Sequence, residues 1–165
     1  MAKVSASSMI FKPGVPVFVE LLATRSVDPL VARSGTLHTE IEADLNSDES
    51  EKIIRSVVCI KISGTPKNSK EVAFTIECKM ECDYFFESPQ SKESIDAPSF
   101  VSMLCDPVYQ RAAVGAQNLC LQLGFGRINL PLTMPNDLKP AIAEKSKPSS
   151  VLGSKPKKTI SKKKV

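Results

Sequence analysis

Between Glu71 and Phe86 the chain reads EVAFTIECKMECDYFF, and its apolar residues keep one parity. Val72, Phe74, Ile76, Cys78, Met80, Cys82, Tyr84 and Phe86 sit at even positions, whereas Glu71, Thr75, Glu77, Lys79, Glu81 and Asp83 sit at odd ones. A repeat of two marks a half-buried β-strand, so this chain must build a sheet with one covered face. The same geometry settles the Cys-x3-Cys spacing. On a strand Cys78 and Cys82 share a face but stand about 13 Å apart at about 3.3 Å per residue, beyond the roughly 7 Å that a disulfide spans. They cannot jointly hold one metal, and two buried thiols on a core face are expected.

Three other extended segments precede this one. Val15, Val17, Val19 and Leu21 alternate, although Phe18 and Leu22 put apolar side chains on the other face, as in a strand partly covered on both sides. After a turn around Arg33-Ser34-Gly35, TLHTEIEADL places Leu37, Ile41, Ala43 and Leu45 on one face and His38, Glu40, Glu42 and Asp44 on the other. NSDESE breaks the pattern. IIRSVVCIKI then gives a face of Ile54, Val58, Ile60 and Ile62, and Gly64 to Lys70 supplies a hairpin loop.

After residue 87 the grammar becomes helical. Asp96-Ala97-Pro98 reads as a helix start with Asp as N-cap, and Asp106-Pro107 as a second start. From there Val108, Ala112, Ala116, Leu119, Cys120 and Leu123 recur at spacings of three and four, a stripe that ends at Gly124. Strands before helices suggest an α+β domain, an antiparallel sheet covered on one face.

Charge divides the chain. Residues 1–140 hold 14 Lys/Arg against 17 Asp/Glu, a net of −3, while residues 141–165 hold 8 Lys and one Glu, a net of +7. The expected organisation is a flexible N-terminal arm over 1–14, one α+β domain over 15–140, and a disordered Lys/Ser/Pro-rich basic tail over 141–165. Five cysteines without C-x-x-C spacing read as reduced thiols of a cytoplasmic protein. Lys12, Pro13, Gly14, Pro16 and Glu20 interrupt any hydrophobic signal core near the start, and no membrane insertion is expected.

Catalytic chemistry is hard to find. His38, the single histidine, falls on the carboxylate-bearing face of its strand and is expected to be solvated. Successive members of Glu40, Glu42 and Asp44 stand about 6.6 Å apart, too wide to cage a small ion unaided. They read as an acidic stripe that Glu77 and Glu81 extend. Gly124-Phe125-Gly126 follows a helix and lacks the Lys-Ser/Thr of a phosphate loop, so a C-cap is the simpler account. With no nucleophile, base and oxyanion donors together, the chain is expected not to be an enzyme and to need no cofactor or metal.

Taken in this order, the chain resembles the SecB family of export chaperones. The resemblance rests on the strand pair SVVCIKISGTPKNSKEVAFTIECKMECDYFF, similar to that family's long hairpin, and on the helix followed by LGFGRINLPL. It spans about residues 15–137. Gly126 stands where the family usually has Pro, and a basic tail replaces the usual acidic one.

The resemblance implies a four-stranded antiparallel sheet with one long and one short helix packed on it, assembled as a homotetramer, a dimer of dimers. It implies an ATP-independent holdase that binds unfolded polypeptide or preprotein clients in apolar grooves for translocation, with an acidic face docking the SecA motor. Candidates for the groove are Tyr84, Phe85, Phe86, Phe100, Met103, Leu104 and Phe125, with core or subunit interface as the alternative for each. Candidates for the docking face are Glu40, Glu42, Asp44, Glu77 and Glu81. A SecB-like chaperone dedicated to an antitoxin or other special client fits equally. A different class, a nucleic-acid-associated adaptor acting through the lysine tail, also remains open.

Overall fold

The computed structural model describes residues 10–30, 34–67 and 69–135. The basic tail and the first nine residues of the expected arm lie outside the described residues. Strands β1 (Phe11–Pro13), β2 (Val17–Arg25), β3 (Gly35–Ser47), β4 (Ile53–Pro66) and β5 (Phe74–Phe86) form one antiparallel sheet, followed by helices α1 (Lys92–Ile95) and α2 (Pro98–Gln122). β3, β4 and β5 make a meander, and β2 returns to pair with the far side of β5, giving a Greek-key order. The fold class is α+β as the sequence grammar indicated.

Parity assigns the faces. Ile54, Val58, Ile60 and Ile62 of β4 and the even residues Phe74 to Phe86 of β5 are buried beneath α2. The helix lays Phe100, Val101, Leu104, Cys105, Val108, Tyr109, Ala112, Ala116 and Cys120 onto them. At about 25 cal/mol per Å² of apolar area this shared face is the principal stabilisation of the domain. Val72 departs from its parity. It lies before the strand and is exposed, because Ala73 bonds back to Gly64 and closes the hairpin there. Leu37 is exposed as well, near the start of β3.

Three further differences have local causes. Phe11–Pro13, expected within a flexible arm, pairs with Tyr84–Phe86, and the Phe11 ring packs 5.7 Å from that of Tyr84 and 5.4 Å from that of Phe86. A three-residue strand next to Pro13-Gly14 carries too little periodicity to be legible. Asp96 is not the N-cap of the following helix. It is the C-cap of α1, and Ala97 caps α2 without a side-chain bond. Asp106-Pro107 does not start a helix, since α2 runs through it. Pro107 faces solvent while Leu104, Cys105, Val108 and Tyr109 on either side are fully buried, so the packed face outweighs the one missing N–H bond.

The helix ends where the sequence places its stop. Gly124, at φ +86°, donates to the Leu121 carbonyl at 3.0 Å, and Phe125 donates to the Cys120 carbonyl at 3.1 Å. This pair of bonds is a Schellman motif, so Gly124-Phe125 serves as a C-cap.

Candidate functional site

The strand register brings the five expected acidic residues onto one face, the one opposite α2. Across β3, β4 and β5 the rows read Glu40–Lys61–Glu77, Glu42–Cys59–Lys79, Asp44–Val57–Glu81 and Asn46–Arg55–Asp83. The stripe is therefore interleaved with cations, which β4 and Lys79 supply. Lys61 lies 3.7 Å from Glu42 and 3.8 Å from Glu77, and Lys79 lies 3.8 Å from Glu81. Arg55 holds Asp83 through two bonds of 2.7 and 3.1 Å and also reaches Glu81 at 3.6 Å. That pairing holds the Asp83 carboxyl below its ordinary range, first through the Arg55 hydrogen bond. His38 is exposed, 3.1 Å from Glu40.

The opposite side carries an apolar groove that the sequence reading did not assemble. In β2 the pairing jumps from Phe18↔Met80 to Glu20↔Lys79, leaving Val19 as the extra residue of a β-bulge. The bulge resets the parity. Phe18, Leu21 and Ala23 then stand beside Met80, Cys78 and Ile76 on the helix side, while Val17, Leu22 and Thr24 stand on the other. Phe18 is 47% exposed and its ring lies over Gly115, where an added Cβ would come within 2.7 Å of it. The result is a groove of about 620 Å³ between β2 and α2. Phe18, Leu21, Met80, Val114 and Leu119 supply its apolar lining, and Gln110, Arg111, Asn118 and Gln122 its polar one.

A second groove, of about 520 Å³, runs along the other flank of α2. Gln110 and Val114 line both. Its far wall is the extended segment Arg127–Leu132, tied to the helix by Tyr109 donating to the Pro131 carbonyl at 2.9 Å and by Met134 N–H donating to Asp106 at 3.2 Å. Val114, 62% exposed, is the ridge between the two. From Ala112 to Gly126 the chain has no charged residue, which is unusual for a helix with a solvent face.

The seven aromatic and apolar candidates do not share one surface. Tyr84, Phe86, Phe100 and Leu104 are buried in the sheet–helix core, with Phe86 and Phe100 stacked at 5.7 Å. Phe125 is half-buried against Phe74 at 4.3 Å. Phe85, 45% exposed, faces away from the helix, because alternation continues through Tyr84-Phe85-Phe86. Met103, 38% exposed, lies on α2. The sequence signals for the groove were Phe18 beside Leu21 and the charge-free helix; what hid it was the bulge.

The thiols point away from reactivity. All five cysteines are buried and free, and Cys59, Cys78 and Cys105 are pushed up to about 11, in each case chiefly by burial. A nucleophilic thiol needs the opposite shift. Among the described residues no three His, Cys, Asp or Glu side chains converge on a metal position, and no helix is long and apolar enough to cross a membrane.

No protein-family model matches the chain, and no curated protein does. Solved structures do match. The chain is similar to the Mycobacterium tuberculosis Rv1957 SecB-like chaperone, solved in complex with a ChAD peptide from the Rv1956 HigA1 antitoxin. The TM-score is 0.60 at 12% identity, over 73% of this chain and 89% of that one. The fold is SecB-like. A Streptococcus agalactiae protein of unknown function matches at a TM-score of 0.46 and 13% identity, over 76% of this chain and 99% of that one. The SecB-like likeness is one of backbone architecture, the antiparallel sheet backed by a long helix that the sequence resemblance implied.

Proposed function

We propose that this chain is an ATP-independent, non-enzymatic chaperone that holds unfolded polypeptide in the groove between β2 and α2. The observation that carries the reading is that groove itself. It is a largely apolar channel of about 620 Å³ beside the edge strand β2. Exposed apolar patches of this kind mark interaction sites. The two sheet edges differ in a way that supports it. β3 guards its edge with His38, Glu40, Glu42 and Asp44, whereas β2 presents Val17, Phe18, Val19, Leu21 and Leu22, all exposed. An extended client can pair with such an edge while its side chains enter the groove.

A dedicated client, as opposed to general export with SecA, is the finer reading we favour. The solved SecB-like relative carries an antitoxin peptide. The sheet face of Glu40, Glu42, Asp44, Glu77 and Glu81, with Lys61, Lys79 and Arg55 interleaved, is a weaker match to a motor-docking surface than a bare acidic stripe. The protein acts in the cytoplasm, where its five thiols stay reduced. It assembles as a homo-oligomer whose second copy covers Val17, Val19 and Leu22.

The test is suppression of aggregation of a denatured client, without nucleotide, at low and at about 0.5 M salt, where the Debye length falls below about 5 Å. Wild type is expected to suppress at both, and Phe18→Ser with Val114→Ser to lose most of the effect. Activity confined to low salt and unchanged in the variant would sink the groove reading and favour the lysine tail and nucleic acid.

A further inference from the structure

We infer that the groove between β2 and α2 selects apolar polypeptide segments that carry a carboxylate, with Arg111 as the residue that reads it. This rests on the proposed chaperone function and adds a substrate class to it.

The first observation is the sidedness of charge. Strand parity puts Glu40, Glu42, Asp44, Glu77, Glu81 and Asp83 on the face opposite the helix. The groove lining contains one charged residue, Arg111, and no carboxylate. On α2 the lone acid is Asp106, and it already accepts the Met134 N–H at 3.2 Å.

The second is that Arg111 is unspent. Arg55, Lys61 and Lys79 are matched by acids on the sheet face, and the Arg25 guanidinium donates to the Leu123 carbonyl at 3.1 Å. Arg111 is exposed and makes no hydrogen bond or ion pair among the described residues. Its field nevertheless reaches the inner side of the sheet. Burial raises the Cys82 thiol and the Tyr84 hydroxyl, and Arg111 is among the groups that pull each back. A guanidinium against apolar walls favours a carboxylate, which it can bind through two parallel bonds, and disfavours Lys or Arg.

The third identifies the occupant as polypeptide. Gln110, Asn118 and Gln122 line the same groove. Their amides offer both donors and acceptors, as an extended backbone requires and an alkyl chain does not.

The experiment is fluorescence anisotropy with three labelled peptides sharing one apolar centre and flanked by Asp, Ser or Lys. They are bound to the full chain, to Arg111→Gln, and to Lys67→Gln as a control for charge remote from the groove. Wild type is expected to bind the Asp-flanked peptide about five- to tenfold more tightly than the Lys-flanked one. Arg111→Gln should bring the two within about twofold, with the Asp-flanked affinity falling toward the Ser-flanked one, and Lys67→Gln should leave the Asp-over-Lys preference as in wild type. If the Asp preference survives Arg111→Gln, or the Lys-flanked peptide binds best, the inference fails while the chaperone reading stands. If no peptide binds wild type, the chaperone reading itself fails. If binding is absent and Val114→Asp dissociates an oligomer on sedimentation, the groove is a contact between copies and both are overturned.

Discussion

The Tyr84 hydroxyl of β5 donates to the Leu104 carbonyl of α2 at 2.8 Å, three residues before Pro107. A proline inside a helix removes the N–H that would serve the carbonyl four residues back and crowds the turn before it. In α2 that carbonyl belongs to Met103, and the strand hydroxyl bonds its neighbour Leu104, in the turn where the ladder is weakest. Tyr84→Phe should cost about 1 kcal/mol, the net loss of one buried hydrogen bond. Pro107→Ala should gain up to about 3 kcal/mol by restoring the N–H. In the double variant the Tyr84→Phe penalty should shrink, since both changes act on one turn. Urea denaturation followed by circular dichroism measures all three, and strict additivity would show that the hydroxyl does not serve the proline turn.

Adjacent aromatics on β5 should behave oppositely. Phe86 is 5% exposed and stacked on Phe100, so Phe86→Ala is expected to destabilise by about 3–5 kcal/mol. Phe85→Ala on the open face should cost less than about 1 kcal/mol. Equal losses in denaturant midpoint would mean that another chain covers Phe85.

Two glycines give a second contrasted pair. A Cβ on Gly64 would fall on the ring of Phe74, which is itself buried and packed on Phe125. Gly64→Ala is therefore expected to cost about 2–3 kcal/mol through forced repacking. At Gly115 the obstacle is the outer end of the half-exposed Phe18 ring, which can swing away. Alanine there also gains helix propensity of about 1 kcal/mol, so stability should stay nearly level. What should change is the groove: Gly115→Ala displaces Phe18, and peptide affinity should fall while the denaturant midpoint holds.

Cys78 and Cys105 are fully buried, and their thiols are pushed from 9.0 to about 11, mainly by burial. The folded state holds these protons more tightly than the unfolded chain does. Their contribution is complete below about pH 9 and is lost as pH rises from 9 to 11. Denaturant midpoints should be flat from pH 7 to 8.5 and then decline, and Cys78→Ala should soften the decline. A midpoint that falls between pH 7 and 8 would show that these thiols are not shielded.

Much of the sheet was legible because strand periodicity is local. Residues two apart share a face whatever surrounds them, so the core residues of β4 and β5 could be read from parity, as could the Gly124 stop from a single left-handed turn. The same parity placed Glu40, Glu42, Asp44, Glu77 and Glu81 on one face. Which cations stand between them depended on register, and register belongs to pairs of strands.

What only the tertiary structure decided lies where local rules compete with packing. Pro107 reads as a helix start in isolation, and the buried residues on either side of it carry α2 straight through. Tyr84, Phe86, Phe100 and Leu104 have the composition of a groove, yet they meet each other across the sheet–helix interface and form core. The bulge at Val19 turns Phe18 and Leu21 to one side and so creates the channel beside Arg111, from residues far apart in the chain. Within β4 and β5, sequence alone determined which residues are buried and on which strand face. The fold determined which of the remaining apolar residues stay open to a partner, because exposure is a property of the neighbours and not of the residue.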